Sequence, residues 1–340
     1  MTNRSILITG GAGYVGSVLT KKLVNQNFNV HVLDSLIFGK DGISDLITKG
    51  SIKLSNFDIR DTDELQNSLN DIDCVVHLAA IVGEPLCKKI PTAARQINEF
   101  ATKNLINLCK SSGVKRFIFA STCSNYGSSS EIVNEDSPLQ PLSLYSECKV
   151  NSEKFILNKN SEKFETCVLR FATAHGLSPR MRFDLLLQEF LRDALVENKI
   201  TIFGQDFWRP LVHVQDMTDA CISTINGTTQ QIAGQVYNVG GNNENYTKIS
   251  LAKIIQKFLP STEIEIIDSK TDPRNYKVSF EKIKNNLNFS TKNTVEDSVK
   301  EILAKVNSGN LDPKDSEFSN ISKLTENVKP FENYNFDESL

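Results

Sequence analysis

The chain has 340 residues, 39% of them hydrophobic and 23% charged, with a formal net charge of −3. That is globular composition, enough for a nucleotide-binding domain plus a smaller lobe, with no low-complexity tract and no solenoid repeat. The mild acidity excludes the basic field that nucleic acid or an anionic membrane requires, and no apolar stretch has the length of a signal segment or a membrane span; a cytoplasmic protein that contacts neither is expected.

The first apolar run, residues 6–9, leads into Gly10-Gly-Ala-Gly13-Tyr14-Val15-Gly16 and then into a helical pattern over 14–26. Between a strand and a helix, glycines at this spacing allow a tight turn, close backbone approach to a pyrophosphate, and tight helix–strand packing. The helix start adds free N–H groups. A second strand, 30–33, ends at Asp34. A carboxylate about twenty residues after the glycines accepts both ribose hydroxyls of an adenosine and repels a 2′-phosphate, which predicts NAD over NADP. Strands 52–54, 74–78, 117–120 and 167–171 alternate with helices 62–69, 92–112 and 143–157. The rhythm predicts an α/β fold, a Rossmann-type doubly wound parallel sheet.

After Arg170 the pattern becomes irregular, with an amphipathic helix at 183–196, a strand at 200–203, and strand plus helix over 211–225. Segments 235–238, 251–258 and 263–267 extend a second lobe. The expected division is an NAD-binding domain from 1–171 and 207–234, and a smaller, discontinuous α/β substrate-binding lobe from 172–206 and 235–307. A polar tail, 308–340, is read as loosely ordered, with Phe331, Tyr334 and Phe336 as candidates for docking.

Seven cysteines without a CxxC spacing and four scattered histidines without an HxxxH pair predict reduced thiols and no metal centre. Tyr145-Ser-Glu-Cys-Lys149 sets a phenol and an ammonium on one face of the helix 143–157. A neighbouring cation favours the phenolate and makes the pair an acid/base. By itself YxxxK is common; here it follows strand 117–120 and Ser121-Thr122-Cys123-Ser124-Asn125-Tyr126-Gly127.

Together with Asp58-Ile59-Arg60, His77-Leu78-Ala79-Ala80, Asn98 and Arg209-Pro-Leu-Val-His213-Val-Gln-Asp216, these motifs make residues 5–289 resemble the extended short-chain dehydrogenase/reductase family. Within it, the chain is most similar to the nucleotide-sugar 4-epimerases, UDP-glucose 4-epimerase-like, and their dehydratase and reductase relatives. The resemblance implies that Gly10, Gly13 and Gly16, with Tyr14 and Val15 between them, hold the pyrophosphate of NAD, and Asp34 the adenosine ribose. Asp58 and Ile59 flank adenine; Leu78, Ala79 and Ala80 line the nicotinamide-side path; Asn98 supports the site from the next helix. Thr122 orients the sugar hydroxyl, Tyr145 is the acid/base, and Lys149 also bonds the nicotinamide ribose.

The substrate side departs from the family pattern. Thr173 and Asp184-Leu185 stand where relatives carry Asn and Asn-Leu, and the Arg-x-Gly-Asp stretch expected near Arg274 and Tyr276 is missing. Arg209 matches the arginine that meets the diphosphate. Ser124 and Cys123 follow the catalytic threonine; Cys123 and His175 are candidate proton-transfer groups, with a buried thiol and a hydrogen-bonded histidine as the alternative. Glu84 is either a further acid/base or a solvated loop glutamate. Dehydratase relatives place an Asp-Glu pair where this chain has Cys123-Ser124, poor acids near neutrality, so dehydration is disfavoured. The expected enzyme is an NAD-dependent epimerase, at sugar C4, passing through a 4-keto intermediate. A 4-ketoreductase or dehydratase is the alternative; a non-catalytic NAD-binding regulator has no use for Thr122, Tyr145 and Lys149 together. By resemblance, the chain is expected to form a homodimer through helices 92–112 and 143–157.

Overall fold

The computed structural model describes residues 4–268, 274–326 and 334. Seven parallel strands form the central sheet in the order Gln235–Val239, Glu165–Phe171, Arg116–Thr122, Cys74–His77, Ser5–Thr9, Asn29–Leu33 and Lys53–Ser55. Strand order reverses beside Ser5–Thr9. Its two neighbours are the second and fourth strands in sequence, and their crossovers leave on opposite faces. The resulting crevice at the strand C-termini is where open α/β sheets bind ligands.

Ile6 and Ile8 sit in one apolar cluster and Leu7 in another, so the first strand buries both of its faces. Such double burial explains why this strand reads as a continuous apolar run instead of alternating. Helix Tyr14–Asn25 packs against helix Val214–Asn226, and Lys22 of the first pairs with Asp219 of the second at 2.5 Å.

The second lobe is built from three small sheets. One contains Asn245–Thr247, Trp208–His213 and Thr173–His175; the others pair Lys199–Phe203 with Glu263–Ile267 and Ser128–Val133 with Asn275–Val278. Helices Leu186–Glu197, Lys248–Phe258 and Val295–Asn307 contribute to a separate apolar cluster containing Leu191, Ile255 and Val299.

Three expectations are corrected. Segment 235–238, assigned to the lobe, is an outer strand of the central sheet, where Tyr237 and Val239 are wholly buried. Strand Trp208–His213, assigned to the NAD-binding part, pairs with lobe strands instead. The tail is not loose through residue 326: Leu311 and Leu324 are buried and helix Asn320–Glu326 forms. Isolated apolar residues concealed this order, because each docks on existing core without a periodic run of its own. Tyr334 lies with its ring 4.0 Å from the Arg60 guanidinium carbon, whereas Phe331 and Phe336 fall outside the described residues. Among the described residues, no helix is long and apolar enough to cross a membrane.

Candidate active site

One deep cleft opens at the switch in strand order. Gly10 has φ +73°, and a Cβ there would meet the Ala79 amide nitrogen at 2.8 Å; a Cβ on Gly16 would collide with the Gly10 carbonyl oxygen. Glycine therefore brings this turn against the next strand and seats the helix start directly on the turn. Gly13 caps helix Tyr14–Asn25 without any side chain, leaving the first N–H groups to a ligand.

Asp34 sits at the far end of the cleft. Its Oδ2 accepts from Ala12 N at 3.0 Å and its Oδ1 from Leu36 N at 2.9 Å, which fixes the carboxylate while a lone pair on each oxygen remains. Burial raises its pKa. Asp58 lies nearby, chelated by the Arg60 side chain at 2.8 and 2.9 Å, with Ile59 beside it. A carboxylate for ribose hydroxyls, an apolar slot for adenine and a bare helix start for the diphosphate fit a dinucleotide.

At the other end stand Thr122, Ser124, Tyr145 and Lys149. Thr122 ends strand Arg116–Thr122, and its hydroxyl oxygen accepts from Ser124 N and donates to Ser124 Oγ, both at 3.1 Å. Helix Leu144–Leu157 is capped by Ser143 and carries Tyr145 and Lys149 on one face, with Lys149 Nζ 5.8 Å from the Tyr145 ring centre. Lys149 donates to the Ala120 carbonyl at 2.8 Å, and burial pushes its pKa down to about 8. Burial drives the Tyr145 hydroxyl well above its usual range; the cation opposing that is Arg182. Lys149 nonetheless stands against the same ring, its Nζ 5.8 Å from the ring centre.

Of the residues singled out in the sequence, Gly10, Gly13, Tyr14, Val15, Gly16, Asp34, Asp58, Ile59, Leu78, Ala79, Ala80, Thr122, Ser124, Tyr145, Lys149, Thr173, Leu185 and Arg274 line this cleft. Seven do not. Asn98, in a π-helical turn at Gln96–Phe100, bonds the Ile81 amide at 2.8 Å and the Ile81 carbonyl at 2.9 Å; it braces the cleft wall from behind. Glu84 pairs with Lys88 at 2.6 Å. Cys123 is buried, donates to the Arg170 carbonyl at 3.1 Å, and has its pKa raised by burial. His175 faces helix Val295–Asn307, bonded to Ser298 Oγ at 2.7 Å and kept neutral by burial. Asp184 pairs with Arg182 at 2.8 Å and accepts from Asn320 N at 3.0 Å. Arg209 is buried, donating to the carbonyls of Trp208 and Arg274, and Tyr276 is buried beside it with Ser124 as a hydrogen-bond partner. For most of these, sequence position is right to within one layer of side chains, but the side chain turns into the protein.

Arg180, Arg182 and Asn320 line the cleft and were not anticipated. Two cations bracketing Met181 were a readable signal; Asn320 offered none. Also missed was the buried network beneath the site. Glu153 on the Tyr–Lys helix pairs with Arg170 at 2.7 Å and accepts from Asn125 at 2.8 Å and from Ser121, while Arg170 donates to Tyr126 at 3.0 Å. It ties that helix to the two strands carrying Thr122 and Phe171.

The model of the NAD dependent epimerase/dehydratase family matches residues 6–240. An uncharacterised UDP-glucose epimerase of Bacillus subtilis, YtcB, is 31% identical over 255 residues, covering 69% of this chain and 76% of its own. A UDP-N-acetyl-alpha-D-glucosaminuronate decarboxylase of Bacillus cytotoxicus is 27% identical over 248 residues, covering 70% of this chain and 75% of its own. The Bacillus cereus UDP-glucuronic acid 4-epimerase, solved with UDP-glucuronic acid and NAD, superposes with a TM-score of 0.81 at 26% identity, covering 89% of this chain and 99% of that one.

Proposed function

The chain belongs to the NAD-dependent epimerase/dehydratase family and its cofactor is NAD; from that premise we propose that it is a nucleotide-sugar 4-epimerase working through a transient 4-keto sugar. The observation that carries the reading concerns which acids and bases face the ligand. Among the described residues lining the cleft, the only carboxylates are Asp34 and Asp58, both at the adenosine end, and no histidine or cysteine lines it. Beside the sugar, Tyr145 is the one proton-transfer group with an ammonium, Lys149, next to it. One acid/base serves removal and return of a single hydroxyl proton; water elimination needs a second pair, and buried Cys123 does not supply one.

NAD, when bound, would supply the acceptor and donor for a hydride at the sugar carbon. Thr122 and Ser124 position the sugar hydroxyl against Tyr145, which accepts its proton and later returns it. Lys149 is held by Ala120 so that its charge stays near the phenol and the nicotinamide ribose. A cationic cofactor in the cleft would favour the Tyr145 phenolate that burial disfavours. Thr173, Leu185 and Arg274 complete the sugar-nucleotide side of the cleft. We read the assembly as a homodimer through helices Ala101–Ser111 and Leu144–Leu157, which leave Leu108 and Phe155 only half-buried; light scattering of the purified chain decides it.

The test mixes the NAD-loaded protein with a panel of nucleotide sugars and follows single-turnover reduction of NAD, then identifies products. The expected product is the C4 epimer of the substrate with no net change in NAD. A product that has lost water or carbon dioxide, or stoichiometric accumulation of reduced cofactor, overturns the epimerase reading.

A further inference from the structure

Two arginines line the cleft close together, and the protein treats them differently. Arg180 has each of its three nitrogens engaged by its own fold: it donates to the Phe38 carbonyl at 3.3 Å, the Met181 carbonyl at 2.6 Å and Asn320 Oδ1 at 2.8 Å. Arg182 is equally buried, 8% exposed, yet only its Nε is engaged, donating to Asp184 Oδ1 at 2.8 Å. Among the described residues, nothing accepts from its two terminal nitrogens. A guanidinium brings five N–H donors in a flat fork, and the unpaired outer edge of this one is open to the cleft, where a ligand can meet it.

The other end of the arrangement is closed. Both Asp184 oxygens are occupied, Oδ1 by Arg182 and Oδ2 by the Asn320 backbone N–H at 3.0 Å, and that amide opens helix Asn320–Glu326. Asp184 thus neutralises and orients Arg182 from behind while leaving the fork for the cleft. Phe183, between them, is fixed by its N–H to the Phe318 carbonyl at 2.7 Å and by an edge-on ring contact with Phe318 at 6.2 Å. The C-terminal segment therefore sets where the fork points.

We propose that the outer edge of Arg182 is a receptor for an oxyanion of the nucleotide sugar, a phosphate oxygen pair or a carboxylate on the sugar, oriented by Asp184 and the C-terminal helix. The proposal rests on the nucleotide-sugar reading of the cleft and extends it to a specificity-determining residue. A planar fork meets two oxygens of either anion side by side, which a point charge does not. Arg182 lines the cleft together with Tyr145, Thr173 and Leu185, which puts the sugar side within its reach. The electrostatic influence of Arg182 on Tyr145 agrees with that placement.

The test uses the full chain, wild type, Arg182→Met and Arg182→Lys, with NAD affinity and melting temperature as controls. Titration ligands are inorganic pyrophosphate, whichever of UDP, dTDP, CDP and GDP binds wild type most tightly, and the glucose and glucuronic acid conjugates of that nucleotide. Arg182→Met is expected to weaken the anion contact at least about thirtyfold, the loss of one partner in a buried charged pair, with Arg182→Lys recovering part of it. A loss shared by pyrophosphate, nucleotide and both conjugates assigns the fork to the diphosphate; a loss confined to the glucuronic acid conjugate assigns it to a sugar carboxylate. Arg182-dependent binding of pyrophosphate by a protein that takes none of the nucleotides leaves the receptor standing and removes the nucleotide-sugar reading. Unchanged affinity for every ligand, no binding of any by wild type, or a loss seen only for NAD overturns the receptor.

Discussion

At the scale of single residues, the chemistry depends on how burial and charge divide between Tyr145 and Lys149. Burial raises the tyrosine and lowers the lysine to about 8, so the unliganded pair is a neutral phenol beside an ammonium that titrates within reach of physiological pH. Tyr145→Phe keeps the packing and removes the exchangeable proton; single-turnover NAD reduction should slow about 10²–10⁴-fold while NAD affinity is retained. An unchanged rate would dismiss Tyr145 as the acid/base. The lysine gives a pH test with a definite sign. A base with its pKa lowered to about 8 is charged below that pH and loses charge above it, so kcat/KM should fall through about pH 8 on the alkaline side. Arginine stays protonated far beyond this range, and Lys149→Arg should be slower but lack that alkaline limb. If both proteins share the limb, it belongs to another group. Asp34 carries a third expectation: with its carboxylate fixed by two backbone amides, Asp34→Ala should narrow the preference for NAD over NADP, measured as the ratio of their dissociation constants.

The elements that hold these residues are joined by groups that carry no motif. Tyr145 and Lys149 were legible because a four-residue spacing on a helix has one geometric meaning, and the glycines because their spacing between strand and helix has one use. Glu153 lies one turn beyond Lys149 and belongs to no motif; in the fold its side chain is 2% exposed and pairs with Arg170, at 6%. Long-range pairing of this kind leaves no periodic trace, since the partners come from elements brought together only by the sheet. Removing one member of a buried pair strands the other, so Glu153→Gln should destabilise the fold by about 3–5 kcal/mol in denaturant unfolding. A loss under about 1 kcal/mol would mean that Tyr126 and the nearby carbonyls already satisfy Arg170. The same blindness explains the substrate side. Arg209, Tyr276 and Asp184 were placed near the site by motif, but backbone position does not say which way a side chain turns.

Over the whole molecule, the alternation of strands and helices announced the parallel sheet, and the polar composition after residue 308 concealed the segment that ties its two parts together. Leu311 joins the lobe cluster, the Phe318 carbonyl is bonded by Phe183, Asn320 lines the cleft, and Leu324 is 1% exposed in the cluster that includes Leu86 and Cys87. Residues 311–324 therefore run from the lobe across the cleft wall to the adenosine side of the sheet, with Tyr334 over Arg60 beyond them. Few apolar contacts are involved, but each lands on an already packed surface. If this wall encloses the dinucleotide, it has to move before NAD can leave. Shortening the chain after Asn310 should speed NAD dissociation at least about tenfold, the usual place for an affinity change to appear, while association changes little. Leu324→Ala alone should cost about 2–5 kcal/mol if the leucine is docked as described and the whole chain unfolds as one unit, and less if the segment detaches locally first. The deciding measurement is stopped-flow displacement of bound NAD from the full-length and shortened chains under conditions where both are folded. Equal dissociation rates would show that residues 311–326 stabilise the protein without enclosing its cofactor.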